Sequence, residues 1–381
     1  MKKNRLNIVL IGSPAFPEGS AITKRRRYIV DYLNSHNISC HVLVTGFRKS
    51  ETQNPNSGFY DKTEFVNISH LFAEHKYLSY FKKGKKYLKT WYDKDAKNIL
   101  LFSTLINFND NTFYKYATKL GYYVVFDIVE TAFWKYEKIG LKAKIRYLLD
   151  EYYSKKAYKK SAAFVISERL MDEFRTKYPN MSLCILPNAT PLSITEGRKS
   201  LNNPLQVLYA GTYAAKEGVT YLIDGVKQAI EKGCKCKLLL LGKAPQALRE
   251  KYANDSCIDF KGFVSEYDLA RLQAESDVLA MVRTNSIFAN FGFPFKLTEY
   301  LATGNIVIST RVSDVEKYLT DKQDAYIIEP ENATAVCNAI MHIAKNPEEA
   351  CRVAQNGLKT AEEKFSIEVV GKTFEEFLLI L

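Results

Sequence analysis

The chain has 381 residues, of which 46% are hydrophobic and 25% charged, the composition of an ordinary globular protein. That length exceeds what one hydrophobic core usually supports, so two domains are expected. No apolar run approaches the about 18 residues that cross a bilayer, and the first residues enter a strand pattern rather than a signal peptide. Seven scattered cysteines without metal-ligand spacing favour reduced thiols and a cytoplasmic protein.

The charge is divided unevenly between the two halves of the chain. Residues 1–190 contain 32 Lys and Arg against 17 Asp and Glu, whereas the other 191 residues contain 22 against 25. The first half therefore carries +15 and the second −3, within a net charge of +12. A basic half predicts an anionic partner, which is a nucleic acid, a membrane surface or a phosphorylated substrate.

The first half alternates apolar runs with helical patterns. Runs at 6–11, 40–45, 98–102, 122–127 and 163–166 are typical of buried strands, and 22–33 is typical of an amphipathic helix. This alternation predicts a Rossmann-like domain, but without Gly-x-Gly-x-x-Gly a nicotinamide or flavin dinucleotide site is disfavoured. Arg25, Arg26 and Arg27 point in different directions around the predicted helix, so most of that run is expected to be solvated.

Two regions of the first half, residues 71–92 and 134–160, combine aromatic residues with many lysines. Lysine interleaved with Tyr and Trp suits the headgroup zone of an anionic membrane. The alternative is a pair of helices with a core stripe and a charged outer face. No nucleic-acid recognition motif is identified in the sequence, so a nucleic-acid partner is not expected.

Two acidic residues, Asp127 and Glu130, follow the strand pattern at 122–127. Doubly wound folds bind their ligands at the carboxyl ends of the strands, where these two side chains would lie. An acid at this position either serves the site or caps a helix.

The second half repeats the alternation after a polar segment. Residues 189–204 contain two prolines and a glycine without periodic pattern, which predicts a linker. Strand patterns follow at 206–209, 237–241, 258–264, 278–282 and 306–309, with a helix at 219–230. The predicted organisation is a first domain at 1–190, a linker at 191–204, a second domain at 205–364 and a final helix at 365–381.

One segment between the last two strand patterns has the features of an anion site. Gly292 and Pro294 mark a tight loop, and 296–303 reads as a short helix ended by Gly304. The first turn of a helix attracts anions and disfavours cations. Lys296 is a cation placed there, so a bound anion would offset its unfavourable interaction with the helix dipole. Glu299 can bind two neighbouring hydroxyls, so phosphates and ribose of a nucleotide would fit. The alternative is a solvated surface helix after a bulge.

The motif Pro294-x-Lys296-Leu297-x-Glu299-Tyr300 resembles the donor-nucleotide motif of family-four glycosyltransferases, which are retaining enzymes with the GT-B fold. The resemblance implies an α/β fold with two Rossmann-like domains facing a cleft and a final helix crossing back to the first domain. It also implies that Glu299 binds the ribose and the Gly292 loop the diphosphate. The sequence departs from the family at Phe291, where the first of two glutamates would fall.

The same resemblance implies the rest of the donor site. Thr212 stands where the family has an arginine, and Lys216 lies one place from its usual lysine, so Lys216, Arg283 and Lys296 are expected to share the phosphates. Asp127 and Glu130 become the candidates for the catalytic group on the acceptor side. The remaining donor-site candidates are Gly19, Gly211, Gly262, Phe263, Val264, Phe293, Pro294 and Leu297.

The resemblance, together with these observations, implies a glycosyltransferase that uses a nucleotide-diphosphate sugar. The acceptor is expected to be a saccharide or a lipid-linked molecule, with the enzyme on the inner face of the membrane. No metal or other cofactor is expected, because Lys and Arg would carry the charge of the diphosphate. Two alternatives remain: a non-catalytic protein that keeps the fold, suggested by Phe291 and Thr212, and a sugar-nucleotide epimerase.

Overall fold

The computed structural model describes residues 5–12, 15–46, 55–103, 107–130, 140–192 and 197–381. The chain forms two compact units, Met1–Ala189 with Ile367–Leu381, and Thr190–Ser366. The linker predicted at 191–204 stays a prediction.

The first unit begins with an alternation of strands and helices. Its elements are β1 (Leu6–Ile11), α1 (Ala21–Ser35), β2 (Ser39–Val44), β3 (Ser57–Tyr60), β4 (Thr63–Asn67), α2 (Ser69–Ala73), α3 (Tyr77–Thr90), β5 (Lys97–Ser103), α4 (Phe108–Leu120), β6 (Tyr123–Ile128), α5 (Leu141–Tyr158), β7 (Ala162–Val165), α6 (Glu168–Lys177) and β8 (Leu183–Ile185).

The second unit continues the alternation. Its elements are β9 (Leu205–Ala210), α7 (Val219–Glu231), β10 (Cys236–Leu241), α8 (Gln246–Lys251), β11 (Ile258–Gly262), α9 (Glu266–Glu275), β12 (Val278–Met281), α10 (Ile287–Phe291), α11 (Phe295–Ala302), β13 (Ile306–Thr310), α12 (Val315–Tyr318), β14 (Tyr326–Ile328), α13 (Ala333–Lys345) and α14 (Pro347–Phe365); α15 (Ile367–Ile380) then returns to the first unit.

The sheet of the first unit has the strand order β3-β4-β2-β1-β5-β6-β7-β8. Every neighbouring pair is parallel except β3 and β4, which form an antiparallel edge. All six residues of β1 are buried, as expected for a parallel strand covered by helices on both faces. The sequence did not indicate the β3–β4 edge.

The final helix packs within the first unit against α1. The Tyr32 hydroxyl donates a hydrogen bond of 2.7 Å to Glu375 Oε2, and the rings of Phe164 and Phe374 stack with centroids 4.8 Å apart. These contacts tie α15 to α1 and to β7.

The sheet of the second unit has the order β11-β10-β9-β12-β13-β14, and all its neighbouring strands are parallel. Its core is aliphatic and includes five fully buried residues, Val207, Leu222, Ile223, Leu240 and Ile308. The strand order reverses between β9 and β12, which defines a switch point at their carboxyl ends. The α/β fold with two mostly parallel sheets is confirmed.

Candidate functional site

The switch point of the second unit brings two loops together. The loop after β9 begins at Gly211, and the loop after β12 contains Arg283. Gly218 makes their approach possible, because its φ is +62° and a Cβ there would lie 2.0 Å from the carbonyl oxygen of Val282. A backbone hydrogen bond of 2.9 Å from the Thr284 amide to the Lys216 carbonyl joins the same loops.

Helix α11 is placed beside this point by its buried face. Pro294 is its N-cap residue, and Leu297, Tyr300 and Leu301 are buried. The Tyr300 hydroxyl accepts a hydrogen bond of 3.0 Å from the Ala210 amide, so the helix is held at the end of β9. The helix is confirmed, starting one residue earlier than the sequence predicted.

A buried carboxylate, Glu217, lies at the centre of the positive charges. Lys296 Nζ donates a hydrogen bond of 2.6 Å to Glu217 Oε2, and Arg283 Nη2 lies 3.6 Å from Glu217 Oε1. The ammonium group also lies 4.3 Å from the ring centroid of Tyr209, a cation–π distance. Gly211 leaves room for it, since a Cβ there would be 2.6 Å from Lys296 Nζ.

The pKa values follow from this arrangement. Burial raises the pKa of Glu217, but the charges of Lys296 and Arg283 outweigh that effect and hold the pKa below its usual value. Burial lowers the pKa of Lys296, whereas the Glu217 carboxylate raises it. Burial is the larger effect, so the pKa of Lys296 lies below its usual value. The mismatch expected at Lys296 is therefore relieved by a carboxylate of the same chain.

The cluster retains an excess of positive charge. Lys216, Arg283 and Lys296 are three cations against the single carboxylate of Glu217, and all three act on its pKa. Within the described part of the chain, two buried polar atoms of this region, Arg283 Nε and Tyr213 Oη, have no hydrogen-bond partner. Buried polar groups are normally satisfied by protein, water or ligand, so the region is suited to additional acceptors such as phosphate oxygens.

The other predicted donor residues divide into those that are at least partly exposed and those whose side chains are buried. Glu299 lies on α11 and is partly exposed, and Gly262 accepts a hydrogen bond of 2.7 Å from the Gly242 amide at the end of β10. Phe263 is 81% exposed, whereas the side chain of Leu297 is fully buried. Phe293 is also buried, with its ring against Tyr318. The side chains of Leu297 and Phe293 are thus packed inside the unit, while Val264 and Gly292 are partly exposed, and their roles at the donor stay predictions.

In the first unit, Asp127 is committed to an ion pair. Its side chain is 7% exposed, and Arg25 donates to it through Nη2 at 2.8 Å and Nε at 3.0 Å. The same guanidinium donates to the carbonyl oxygens of Leu186 and Pro187. Asp127 thus holds a buried arginine that orders the chain at 186–188, which supports a positioning role.

The expectation that the arginine run is mostly solvated is wrong. Arg25 and Arg26 are both buried, and Arg26 donates a hydrogen bond of 2.7 Å to the carbonyl of Ile11. Burial lowers the pKa of Arg26 to about 10. Gly19 lies just before this helix, close to Thr23, whose Oγ1 would be 2.6 Å from a Cβ at position 19.

Sequence reasoning missed two titratable residues, Glu217 and Asp110. Asp110 is buried near the start of α4, where its amide donates to the N-cap side chain of Asn107. Burial raises the pKa of Asp110 to about 7. The spacing Asn107-x-x-Asp110 is a helix-start signal and could have pointed to it. Glu130 is exposed and adjoins residues 131–139, which lie outside the described part.

The fold and the cation cluster at the switch point define an α/β protein with a candidate anion site. The comparisons with known proteins make this class more specific. A model described as glycosyl transferases group 1 matches residues 204–346, most of the second unit. Among solved structures, sucrose-phosphate synthase from Thermosynechococcus elongatus has a TM-score of 0.74 at 17% identity, covering 98% of both chains. Anabaena Alr3699/HepE in complex with UDP has a TM-score of 0.71 at 13% identity, covering 99% of this chain and 100% of that one. The fold is that of GT-B glycosyltransferases.

Curated relatives point the same way. The putative colanic acid biosynthesis glycosyltransferase WcaL of Escherichia coli is 20% identical over 190 residues, or 48% of this chain and 47% of the relative. The capsular polysaccharide biosynthesis glycosyltransferase CapM of Staphylococcus aureus is 23% identical over 181 residues, 46% of each. The chain thus spans about half the length of the curated relatives it matches.

Three further properties concern the described residues only. None of their helices is long and apolar enough to cross a membrane. No group of three or more His, Cys, Asp or Glu side chains among them could hold a metal ion. All seven cysteines are free thiols.

Proposed function

We propose that this protein is a retaining glycosyltransferase that transfers a sugar from a nucleoside-diphosphate sugar to a saccharide or lipid-linked acceptor in polysaccharide synthesis. The observation that carries the proposal is the cluster of Lys216, Arg283 and Lys296 around Glu217 at the switch point of the second sheet. That position is where doubly wound sheets bind nucleotides. The matched family model over the same unit supports it.

The cluster suits a diphosphate leaving group. Negative charge develops on the leaving phosphate as the glycosidic bond breaks, and fixed cations in a partly buried site stabilise that charge. Glu217 fixes the position of Lys296 and Arg283 before the donor arrives, so their ordering does not have to occur during the reaction. Two cations in excess remain to balance the diphosphate.

Glu299 is the second group that we propose for binding the donor, at its ribose. It follows Lys296 by three residues on α11, so both side chains lie on neighbouring positions of the helix surface. A carboxylate there is able to accept hydrogen bonds from both ribose hydroxyls. On the acceptor side Glu130 is the stronger candidate for the catalytic acid, since it is exposed whereas Asp127 is buried in its ion pair.

A binding protein without transferase activity is the second candidate. Phe291 stands where the motif family has its first glutamate, and this residue is only 8% exposed at the end of α10. An apolar, buried side chain at this position provides no carboxylate for the donor sugar. A sugar-nucleotide epimerase remains a third candidate on the same fold.

Calorimetric titration of the full chain with UDP-, GDP-, ADP- and CMP-sugars tests the donor grip. We expect one nucleotide class to bind, and the Lys296→Ala variant to bind it at least about tenfold more weakly because a charge-assisted contact is lost. Lys359→Ala is the matched control, since the side chain of Lys359 is 71% exposed in the same unit and lies 3.8 Å from Glu363. Equal affinities in Lys296→Ala and wild type would contradict the proposed site.

Product analysis then separates the three candidates. With the bound donor and a panel of saccharide and lipid-linked acceptors, a transferase releases nucleoside diphosphate and forms a new glycosidic bond. NMR of the anomeric proton shows whether the donor configuration is kept. Donor binding without any product from the panel or from water favours the binding protein, and an altered free sugar or sugar nucleotide favours the epimerase.

A further inference from the structure

Helix α5 carries an exposed apolar stripe. Five of its large apolar or aromatic side chains are between 48% and 74% exposed, a set that consists of Leu141, Ile145, Leu148, Leu149 and Tyr152. At 100° per residue they lie within about 100° of one another around the helix axis. Exposed apolar residues scattered singly are ordinary, but a continuous stripe on one helix face is not.

The opposite face of α5 belongs to the core of the unit. Ser154, Ala157 and Tyr158 are buried there, and the Tyr158 ring packs against Phe126 of β6 with centroids 4.6 Å apart. The helix is therefore anchored with its stripe directed outward.

Basic side chains border the stripe on both sides. At the same helical spacing Lys142 and Arg146 lie along one edge, and Lys144 and Lys155 along the other. All four are exposed, and Lys159 and Lys160 follow at the end of the helix. Lys155 forms an ion pair of 3.4 Å with Glu151, so the cations along the stripe are only partly balanced within the helix.

Neighbouring helices continue the basic surface. Helix α4 packs between α3 and α5. On α3, Leu78 is 89% exposed and is followed by the exposed Lys82, Lys86 and Lys89. Lys85 lies over the ring of Tyr116 on α4 at 5.6 Å. One surface of the first unit thus joins exposed apolar side chains to a field of lysines.

We propose that α5 is a membrane-surface helix, whose apolar stripe enters the interface of an anionic lipid bilayer while its bordering cations contact lipid phosphates. An apolar stripe between two rows of cations matches the layering of such an interface, with acyl chains below and phosphates at both sides. A second copy of the chain would bring two basic surfaces together, and nucleic acid would leave the five apolar side chains exposed. The binding does not depend on the transferase chemistry, although a lipid-linked acceptor rests on the proposed function.

Cosedimentation of the full chain with vesicles tests this surface. We expect retention on phosphatidylcholine vesicles that contain phosphatidylglycerol, little retention on phosphatidylcholine alone, and release as salt rises. Ile145→Ser/Leu148→Ser/Leu149→Ser should weaken partitioning at least about tenfold, because three apolar side chains no longer enter the interface. Lys142→Gln/Arg146→Gln should weaken it less and reduce the salt dependence.

Matched controls come from exposed residues elsewhere in the same unit. Phe59 on β3 is 73% exposed and Lys372 on α15 has a 68% exposed side chain, so Phe59→Ser and Lys372→Gln should bind vesicles as wild type does. Circular dichroism establishes that each variant is folded. The Tyr152→Trp variant should add a fluorescence signal that brominated lipids quench.

Four outcomes would overturn the proposal. These are absence of binding to anionic vesicles, equal binding to neutral ones, an unchanged affinity in the triple serine variant, and no quenching of the added tryptophan. Light scattering that shows a dimer lost in the triple variant would assign the stripe to a second copy instead. Nucleotide titration of the triple variant keeps the two proposals apart, since donor affinity should stay at the wild-type value.

Discussion

Lys296 and Glu217 form a nearly buried ion pair, with Nζ and Oε2 2.6 Å apart and side chains 17% and 5% exposed. They are 79 residues apart in the chain and come from the helix after the switch point and from the turn after β9. A pair of this kind is costly to break, because removing one partner leaves the other charge desolvated.

We therefore expect Lys296→Met or Glu217→Gln alone to destabilise the second unit by about 3 kcal/mol. The double variant should be less destabilised than the sum of the two, because the contact between Lys296 and Glu217 is counted in both single variants but lost only once; Arg283 loses its carboxylate in the Glu217→Gln and the double variant alike. Hydrogen exchange of peptides from α11 and β9, followed by mass spectrometry, measures the effect locally. Lys359→Met/Glu363→Gln is the control, an exposed pair whose coupling should be close to zero. Strictly additive changes at 217 and 296 would show that the pair contributes nothing.

Glu299→Gln tests the diol grip. We expect nucleotide affinity to fall by about 1.5–3 kcal/mol, because charge-assisted hydrogen bonds to two hydroxyls become weaker neutral ones. Calorimetry with the nucleotide that binds wild type measures the loss. A 2′-deoxy nucleotide should bind wild type more weakly but distinguish little between the variant and wild type.

Glu363→Gln serves as the control for that change, since its side chain is 57% exposed on α14. It should bind nucleotide normally. If Glu299→Gln also bound normally, the ribose assignment would be wrong, whatever the role of the cation cluster.

How much of the site was predictable depends on how local its signals are. Strand β1 is predicted at 6–11 and lies at Leu6–Ile11, because the continuous apolar residues 8–11 are a local strand signal. The β3–β4 edge has no such run in β3, which begins with Ser57 and Gly58 and exposes Phe59. An edge strand that is partly in solvent does not need a continuous apolar sequence. Helix α11 was predicted from Pro294 and Gly304, both of which act locally.

Long-range pairing was the part that sequence could not supply. A lysine in the first turn of a helix indicated that an anion should compensate it, but nothing local showed that Glu217 provides that carboxylate. Likewise, helical spacing gave the directions of Arg25 and Arg26 without showing that both directions are buried. The partners of such charges lie 15 to 163 residues away, so only the fold brings them together.

The two acids after β6 should now behave differently. Asp127→Asn leaves the guanidinium of Arg25 buried without its counter-charge, so we expect a loss of about 3–5 kcal/mol in the stability of the first unit. Glu130→Gln should leave stability unchanged and lower turnover by about 10²-fold or more, the size of a general acid–base effect. Denaturant unfolding and the product assay measure the two effects separately.

Glu376→Gln is the control for both measurements, because its side chain is 65% exposed and 4.0 Å from Lys372. Full turnover in Glu130→Gln would remove the catalytic assignment on this side. A stable Asp127→Asn variant with strongly reduced turnover would instead return the catalytic role to Asp127.

Asp110 should make the stability of the first unit depend on pH. Burial is the main cause that raises its pKa from 3.8 to about 7, the charge of Asp150 adds to it, and Arg26, Thr45 and the backbone at Asn107 act against it. A raised pKa means that the folded state keeps a proton which the unfolded chain has lost. The resulting stability is complete below about pH 4 and is lost as pH rises to about 7. Since one pKa unit corresponds to about 1.4 kcal/mol, the shift from 3.8 to about 7 corresponds to a total on the order of 4 kcal/mol.

His41 acts in the opposite direction over part of the same range. Burial lowers its pKa to about 4, so its contribution to stability is present above about pH 6.5 and is lost as pH falls. The pH profile of wild type alone would therefore mix the two groups. The difference between Asp110→Asn and wild type removes the histidine contribution, because both proteins contain it.

We expect Asp110→Asn to gain stability relative to wild type as pH rises from 5 to 8, since the amide stays neutral while the buried carboxyl of wild type must ionise. Tryptophan fluorescence in urea at several pH values measures this, and both tryptophans of the chain, Trp91 and Trp134, belong to its first half. Asp95→Asn, an exposed acid of the same unit, should show a flat difference. A flat difference for Asp110→Asn as well would mean that Asp110 is ionised in the fold at pH 5, and that the cations around it, Arg26 first, hold its pKa near the ordinary value.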